Sequence, residues 1–169
     1  MLQAIVILAI AMVFVTPAVS AQQEMEPTMD LKHHKSLSRE SLQMWAGDSS
    51  GDPSDIFAET YRNHQEPAAG GGVTAIGLEQ WIDLVKANHQ AFPDLEVKFL
   101  QQVAEDDLVA THWQFSATQK GPYEGLAPTD KRVTWTGMSI DRFEDGKIVE
   151  SWVSWDKYTQ FEALGLISR

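Results

Sequence analysis

The residues best placed for proton chemistry in this chain are picked out by their positions. His64 directly follows Asn63 in the segment Tyr61-Arg62-Asn63-His64. An imidazole titrates near pH 6.5, so it can take up and return a proton at neutral pH. Asp141 is a second candidate acid. Strand alternation puts it on the same face as Ser139, but close to a turn, where a solvated carboxylate is expected. Asp156 ends the following strand and is expected to cap the last helix. His89 lies on or beside an apolar helical stripe and reads as a core-edge histidine with one nitrogen satisfied. The pair His33-His34 sits in a polar segment and is expected to be solvated, because adjacent side chains on a linker do not converge on one ion. The chain has no cysteine. That excludes disulfides, thiolate metal sites, a cysteine nucleophile and a lipid anchor on a modified cysteine. No metal site and no cofactor are expected.

The length of 169 residues suits one domain around one core. A hydrophobic content of 43% with six tryptophans belongs to a globular chain. The net charge of −11, with no basic run, argues against nucleic acid or an anionic membrane surface as the main partner.

Residues 2–19 form an apolar run, and Ala18-Val19-Ser20-Ala21 offers small residues where a signal peptidase reads. Residues 1–21 are therefore expected to be a signal peptide, and the mature protein periplasmic or secreted. No Lys or Arg precedes the run, and a membrane anchor is the alternative, although the run is short for a span and Pro17 interrupts it. Residues 22–35 read as a linker and 36–169 as the folded domain.

Helical spacing predicts a helix over Ser36–Ala46, a short one over Ile56–Tyr61, and a clearly amphipathic one over Ala75–Ala91 that ends at Pro93. Alternation predicts strands at Leu95–Val103, Leu108–Thr118, Val133–Phe143 and Ile148–Trp155. The last two form a hairpin through Glu144-Asp145-Gly146-Lys147. A short helix, Lys157–Leu164, closes the chain. Helices followed by consecutive antiparallel strands make an α+β domain with the N-terminal helices packed on one face of a curved antiparallel sheet, an arrangement that can enclose a cavity.

Alternation also assigns faces. Phe99, Trp113, Phe115, Trp135, Val153 and Trp155 form an aromatic wall, with Ser139 and Ser151 as polar points among them. Such a wall suits a flat hydrophobic small molecule. Glu150 and Trp152 fall on the opposite face and are expected to serve strand pairing or a dimer surface.

Several stretches together resemble the SnoaL-like polyketide cyclases, also called ester cyclases, of the nuclear-transport-factor-2-like superfamily. They are Tyr61-Arg62-Asn63-His64, Ala91-Phe92-Pro93-Asp94-Leu95, the G-x-x-x-G-x-x-P-T loop from Gly121 to Thr129, and the hairpin Arg142-Phe143-Glu144-Asp145-Gly146-Lys147-Ile148-Val149-Glu150 with Trp152 and Asp156 beyond it. The resemblance implies a cone-shaped fold with a deep pocket, often a homodimer, and an aldol ring closure that needs neither metal nor cofactor. Without gaps through the hairpin, the family's acid/base aspartate falls at Val153 and its pocket histidine at Ser139, while its pocket asparagine matches Asn63. The resemblance puts His64 where the chain enters the pocket. His64 and Asn63 are thus the expected catalytic pair for acid/base chemistry on a hydrophobic cyclic or polyketide-like molecule. A non-catalytic binding domain that has lost the acid is the alternative.

Overall fold

The computed structural model describes residues 30–48, 51–65 and 72–167. The expected signal peptide and the linker up to residue 29 lie outside the described residues.

Helix α1 (Leu31–Ala46) starts at Asp30, whose carboxylate accepts from the backbone N–H groups of Lys32 and His33. It ends at Gly47, held in the left-handed region at φ 82°. The helix therefore takes in five residues assigned to the linker. His34, Leu37, Ser38, Ser41 and Leu42 repeat at helical spacing and form its buried face. The expectation of a solvated His33-His34 pair is corrected at its second member. His34 is buried and stacks on Phe143 at 4.1 Å.

The predicted helix over Ile56–Tyr61 is also corrected. Only one turn forms, α2 (Pro53–Ile56), capped by Asp52, and the chain then extends as β1 (Phe57–Gln65). Phe57 and Tyr61 are both buried four residues apart, a spacing that a helix face and an alternating strand share. A short β2 (Thr74–Ile76) takes the first residues of the predicted third helix, so α3 runs Leu78–Ala91 behind Gly77. The remaining elements follow expectation closely: β3 (Glu96–Glu105), β4 (Leu108–Thr118), β5 (Arg132–Glu144), β6 (Lys147–Trp155) and α4 (Lys157–Leu164). Asp145 and Gly146 make the β5–β6 turn at φ 49° and 75°, the left-handed pair that a two-residue hairpin turn needs.

The strands form one sheet in the order β2-β1-β6-β5-β4-β3. Pairing is antiparallel except between β1 and β6. That parallel pairing, invisible in the hairpin pattern, brings Asn63 beside Ser151 and His64 beside Trp152. The burial of β5 alternates strictly, from exposed Arg132 through buried Phe143 to exposed Glu144. Helices α1 and α3 cover the concave face. On the other face Met138, Ile140 and Trp152 stay exposed. Among the described residues no helix is long and apolar enough to cross a membrane.

Candidate functional site

A cavity of about 90 Å³ lies between the helices and the concave sheet. Helix α1 contributes Ser41, Leu42 and Trp45, and α3 contributes Trp81 and Asn88. The sheet contributes Tyr61 and Asn63 from β1, Trp113 and Phe115 from β4, Trp135, Ser139 and Asp141 from β5, and Ser151, Val153 and Trp155 from β6. A larger groove of about 490 Å³ adjoins it and shares Trp45, Gln65, Asn88, Tyr123 and Trp155 as walls. Tyr123 is carried by the loop that Gln119 ties down. Gln119 donates to the carbonyls of Gly121 and Ala127 at 3.1 and 3.2 Å and accepts from Thr129 at 2.6 Å.

The central side chain is Asp141, only 2% exposed. The expectation that it is solvated is corrected. Proximity to a turn does not expose it, because Ser38 on α1 lies against the carboxylate and the Val109–Phe143–Ile148 cluster surrounds that end of the sheet. Burial pushes its pKa up to about 6, because a charge is poorly solvated there. The Ser151 hydroxyl, which donates to Oδ1 at 2.6 Å, pulls the other way. Ser38 also favours the charged form, although its Oγ makes no hydrogen bond of normal geometry.

Behind Ser151 the donors form a chain. Asn63 Nδ2 donates to the Tyr61 hydroxyl at 2.9 Å, and the phenol in turn faces Ser151. Burial raises the Tyr61 phenol far above its ordinary range, so it stays protonated. The arrangement runs Asn63, Tyr61, Ser151, Asp141: Asn63 donates to Tyr61, Ser151 donates to Asp141, and the phenol lies beside Ser151 between them. A carboxylate held this way can act as a base above pH 6 and as an acid once loaded.

Unpartnered polar atoms concentrate on the same wall. Among the described residues, buried side-chain atoms without a hydrogen-bond partner are Asn63 Oδ1, Asn88 Nδ2, Trp113 Nε1, Ser139 Oγ and Asp141 Oδ2, all on cavity residues, plus His34 Nδ1 and Ser38 Oγ. Folded proteins leave few such groups unpaired. Clustering on one cavity marks a place where a polar ligand or water completes them.

The sequence-predicted residues divide clearly. Asn63, Trp113, Phe115, Trp135, Ser139, Ser151, Val153 and Trp155 all line the cavity. Phe99 does not. It lies on the edge strand β3, just before a shift in register with β4, and packs under the Arg39 guanidinium at 5.3 Å. His64 is also placed elsewhere. It follows inward-facing Asn63 in an extended strand, so its ring lies on the opposite face of the sheet. There it donates to Glu150 at 2.7 Å and stacks on Trp152 at 5.5 Å. Glu150 also accepts from Arg142. His89 caps the carbonyls of Met44 and Trp45 at 3.1 and 2.9 Å, and Asp156 accepts from Thr159 N at 2.9 Å, as an N-cap does. Trp45, Tyr61, Trp81, Asn88 and Tyr123 were missed. Trp45 and Trp81 stood on apolar helix faces, where they were indistinguishable from core. Tyr61 was hidden by its assignment to a helix.

Among the described residues no group of three His, Cys, Asp or Glu side chains converges as a metal site would require.

A family model described as SnoaL-like polyketide cyclase matches residues 39–164. No curated protein matches the chain. Solved structures do. AclR from Streptomyces galilaeus, a candidate hydroxylase, is 27% identical with a TM-score of 0.70, over 82% of this chain and 99% of its own. IdmH from Streptomyces antibioticus, a candidate polyketide cyclase, is 24% identical with a TM-score of 0.69, over 78% and 98%. A candidate SnoaL-like polyketide cyclase from a Jannaschia species is 18% identical with a TM-score of 0.69, over 81% and 94%. The last two likenesses concern the fold alone.

Proposed function

The chain belongs to the SnoaL-like polyketide cyclase family, and on that premise we propose that it performs cofactor-independent acid/base chemistry on a hydrophobic, cyclic or polyketide-like molecule, with Asp141 as the proton-transfer group. The observation that carries this reading is the unpartnered Oδ2 of a buried Asp141 on an aromatic-walled cavity whose other lining residues also hold unpartnered polar atoms. In a ring closure, the Asp141 carboxylate takes the proton from a carbon next to a carbonyl. The resulting enolate attacks a second carbonyl of the same molecule, and the new alkoxide recovers the proton from Asp141. Atoms and charge balance without a further reagent. Ser139 Oγ and Trp113 Nε1 are free to donate to the oxygens on which charge develops. His64 is outside this scheme, because its ring is on the far face and engaged with Glu150.

The test is exchange of α-protons of a simple ketone for deuterium in D2O, followed by NMR. The protein accelerates the exchange, and Asp141→Asn abolishes the acceleration. Exchange that survives the substitution removes the basis of the assignment.

Val153 supports a second reading. It lines the cavity at the position where the resemblance puts the family's aspartate. In that reading the protein binds the same class of molecule and releases it unchanged, and no ketone would exchange faster than in buffer.

Two further proposals go with either reading. Exposed Met138, Ile140 and Trp152 on the convex face support a homodimer through the sheet, which sedimentation would report as twice the chain mass. The apolar run and Ala18-Val19-Ser20-Ala21 support export, with a mature N-terminus at Gln22.

A further inference from the structure

We propose that the ligand is uncharged and bipartite: a head no larger than a single ring enters the cavity beside Asp141, its oxygen accepts from Asn88 Nδ2, and a hydrophobic tail lies in the adjoining groove. This deepens the proposed function and rests on that cavity being its site.

Size carries the first part. The cavity holds about 90 Å³. An engineered apolar cavity of about 150 Å³ accommodates one benzene, and sites for whole drug-sized ligands span roughly 300–1,000 Å³. A multi-ring molecule therefore cannot enter entire. The groove of about 490 Å³ provides the missing room. Because the two spaces share walls, one molecule can occupy both.

Asn88 carries the second part. It lines both spaces, and its Nδ2 is buried without a partner. An amide NH2 only donates, so the group that completes it is an acceptor such as a carbonyl or ether oxygen. Its place on the shared wall puts that oxygen where head meets tail.

Charge carries the third. Of the residues lining the two spaces, Asp141 and Glu124 are the charged ones among the described residues, and no Lys, Arg or His is present. An anionic ligand would lose its hydration and find two carboxylates and no cationic side chain to offset its charge. Leu84, Ile76 and Ala87 make the groove apolar, and Leu84 is 39% exposed without a ligand.

The probe is a series of methyl ketones from 2-butanone to 2-undecanone, titrated against tryptophan fluorescence. Kd falls about fourfold per added methylene until the groove is filled. Anthrone, whose carbonyl is enclosed by fused rings, binds no tighter than 2-butanone, and 2-oxononanoate binds more weakly than 2-nonanone. Asn88→Leu weakens 2-nonanone by about three- to tenfold but leaves 1-nonene, which has no oxygen, unchanged. Leu84→Ser, at an exposed position that folding tolerates, flattens the dependence on tail length. A Kd independent of tail length, or tight binding of anthrone, overturns the proposal. Asp141→Asn separates the two levels. It removes exchange but keeps the length series if both readings hold. A length series without exchange in the unsubstituted protein overturns only the acid/base reading.

Discussion

Asp141 and Ser151 stand directly opposite each other on β5 and β6, and the Ser151 hydroxyl donates to Asp141 Oδ1 at 2.6 Å. This bond holds the carboxylate against the penalty of burial, with the Tyr61 phenol beside Ser151 and Asn63 donating to that phenol. It engages Oδ1 and leaves Oδ2 of this cavity-lining residue without a hydrogen-bond partner.

Replacing Ser151 by Ala removes a hydrogen bond to a charged group, worth about 1.5–3 kcal/mol. The pKa of Asp141 rises further from about 6, by roughly one to two units. The pH profile of ketone exchange, which climbs through pH 6 in the unsubstituted protein, shifts upward by that amount while its plateau persists. An unmoved profile would mean that Ser151 does not tune the base.

The raised pKa also sets a pH dependence of stability. Asp141 titrates near 3.8 unfolded and about 6 folded. Between those values the folded state holds more protons than the unfolded one, so stability falls as pH rises from about 4 to 6 and then levels. A shift of this size corresponds to roughly 3 kcal/mol. Asp141→Asn therefore raises Tm at pH 7.5 and has little effect at pH 4. Melting curves at the two pH values check the sign, and a variant less stable at pH 7.5 contradicts it.

His64→Ala deletes a pair in which each side chain is 24% exposed. Such partly solvated pairs contribute at most about 1 kcal/mol, so urea unfolding shows a small loss. Ketone exchange stays within twofold. A collapse of exchange would return the catalytic role to His64 and remove it from Asp141.

Gly137 stands opposite Trp113, and a Cβ there would lie 2.2 Å from the Trp113 indole. Gly137→Ala must displace that ring into the cavity or distort β5. Overpacking of this kind costs about 1–3 kcal/mol. The variant loses stability in denaturant and binds short ketones more weakly, because the displaced indole takes the space of the head. Unchanged affinity would show that the ring yields in another direction.

Much of the fold was legible because its signals are local. The alternation of β5 put Trp135, Gly137, Ser139 and Asp141 on one face, and the left-handed turn at Asp145 and Gly146 closed the hairpin, whose register then shifts by one residue between Phe143 and Arg142. The aromatic wall followed from strand alternation, apart from Phe99, which pairs with Trp113 but sits on the edge strand β3 under Arg39 and outside the cavity lining. The Asp30 cap and the β1 strand were not legible. One lay in a polar segment that resembled a linker, and the other used a spacing common to helix and strand.

What the sequence determined by itself is relative placement: residues of equal parity in a strand share a face, and the turn chemistry pairs β5 with β6. Parity cannot say which face is covered. Asn63 and His64 are neighbours, so one must point in and the other out. Only the parallel pairing of β1 with β6 under α1 and α3 turned Asn63 into the cavity and His64 toward Glu150. Solvation was likewise decided in three dimensions. Helix α1 packs Ser38, about a hundred residues away in the chain, against Asp141, and it is the burial of the carboxylate, opposed by the Ser38 and Ser151 hydroxyls, that turns an acid near a turn into a base poised near pH 6.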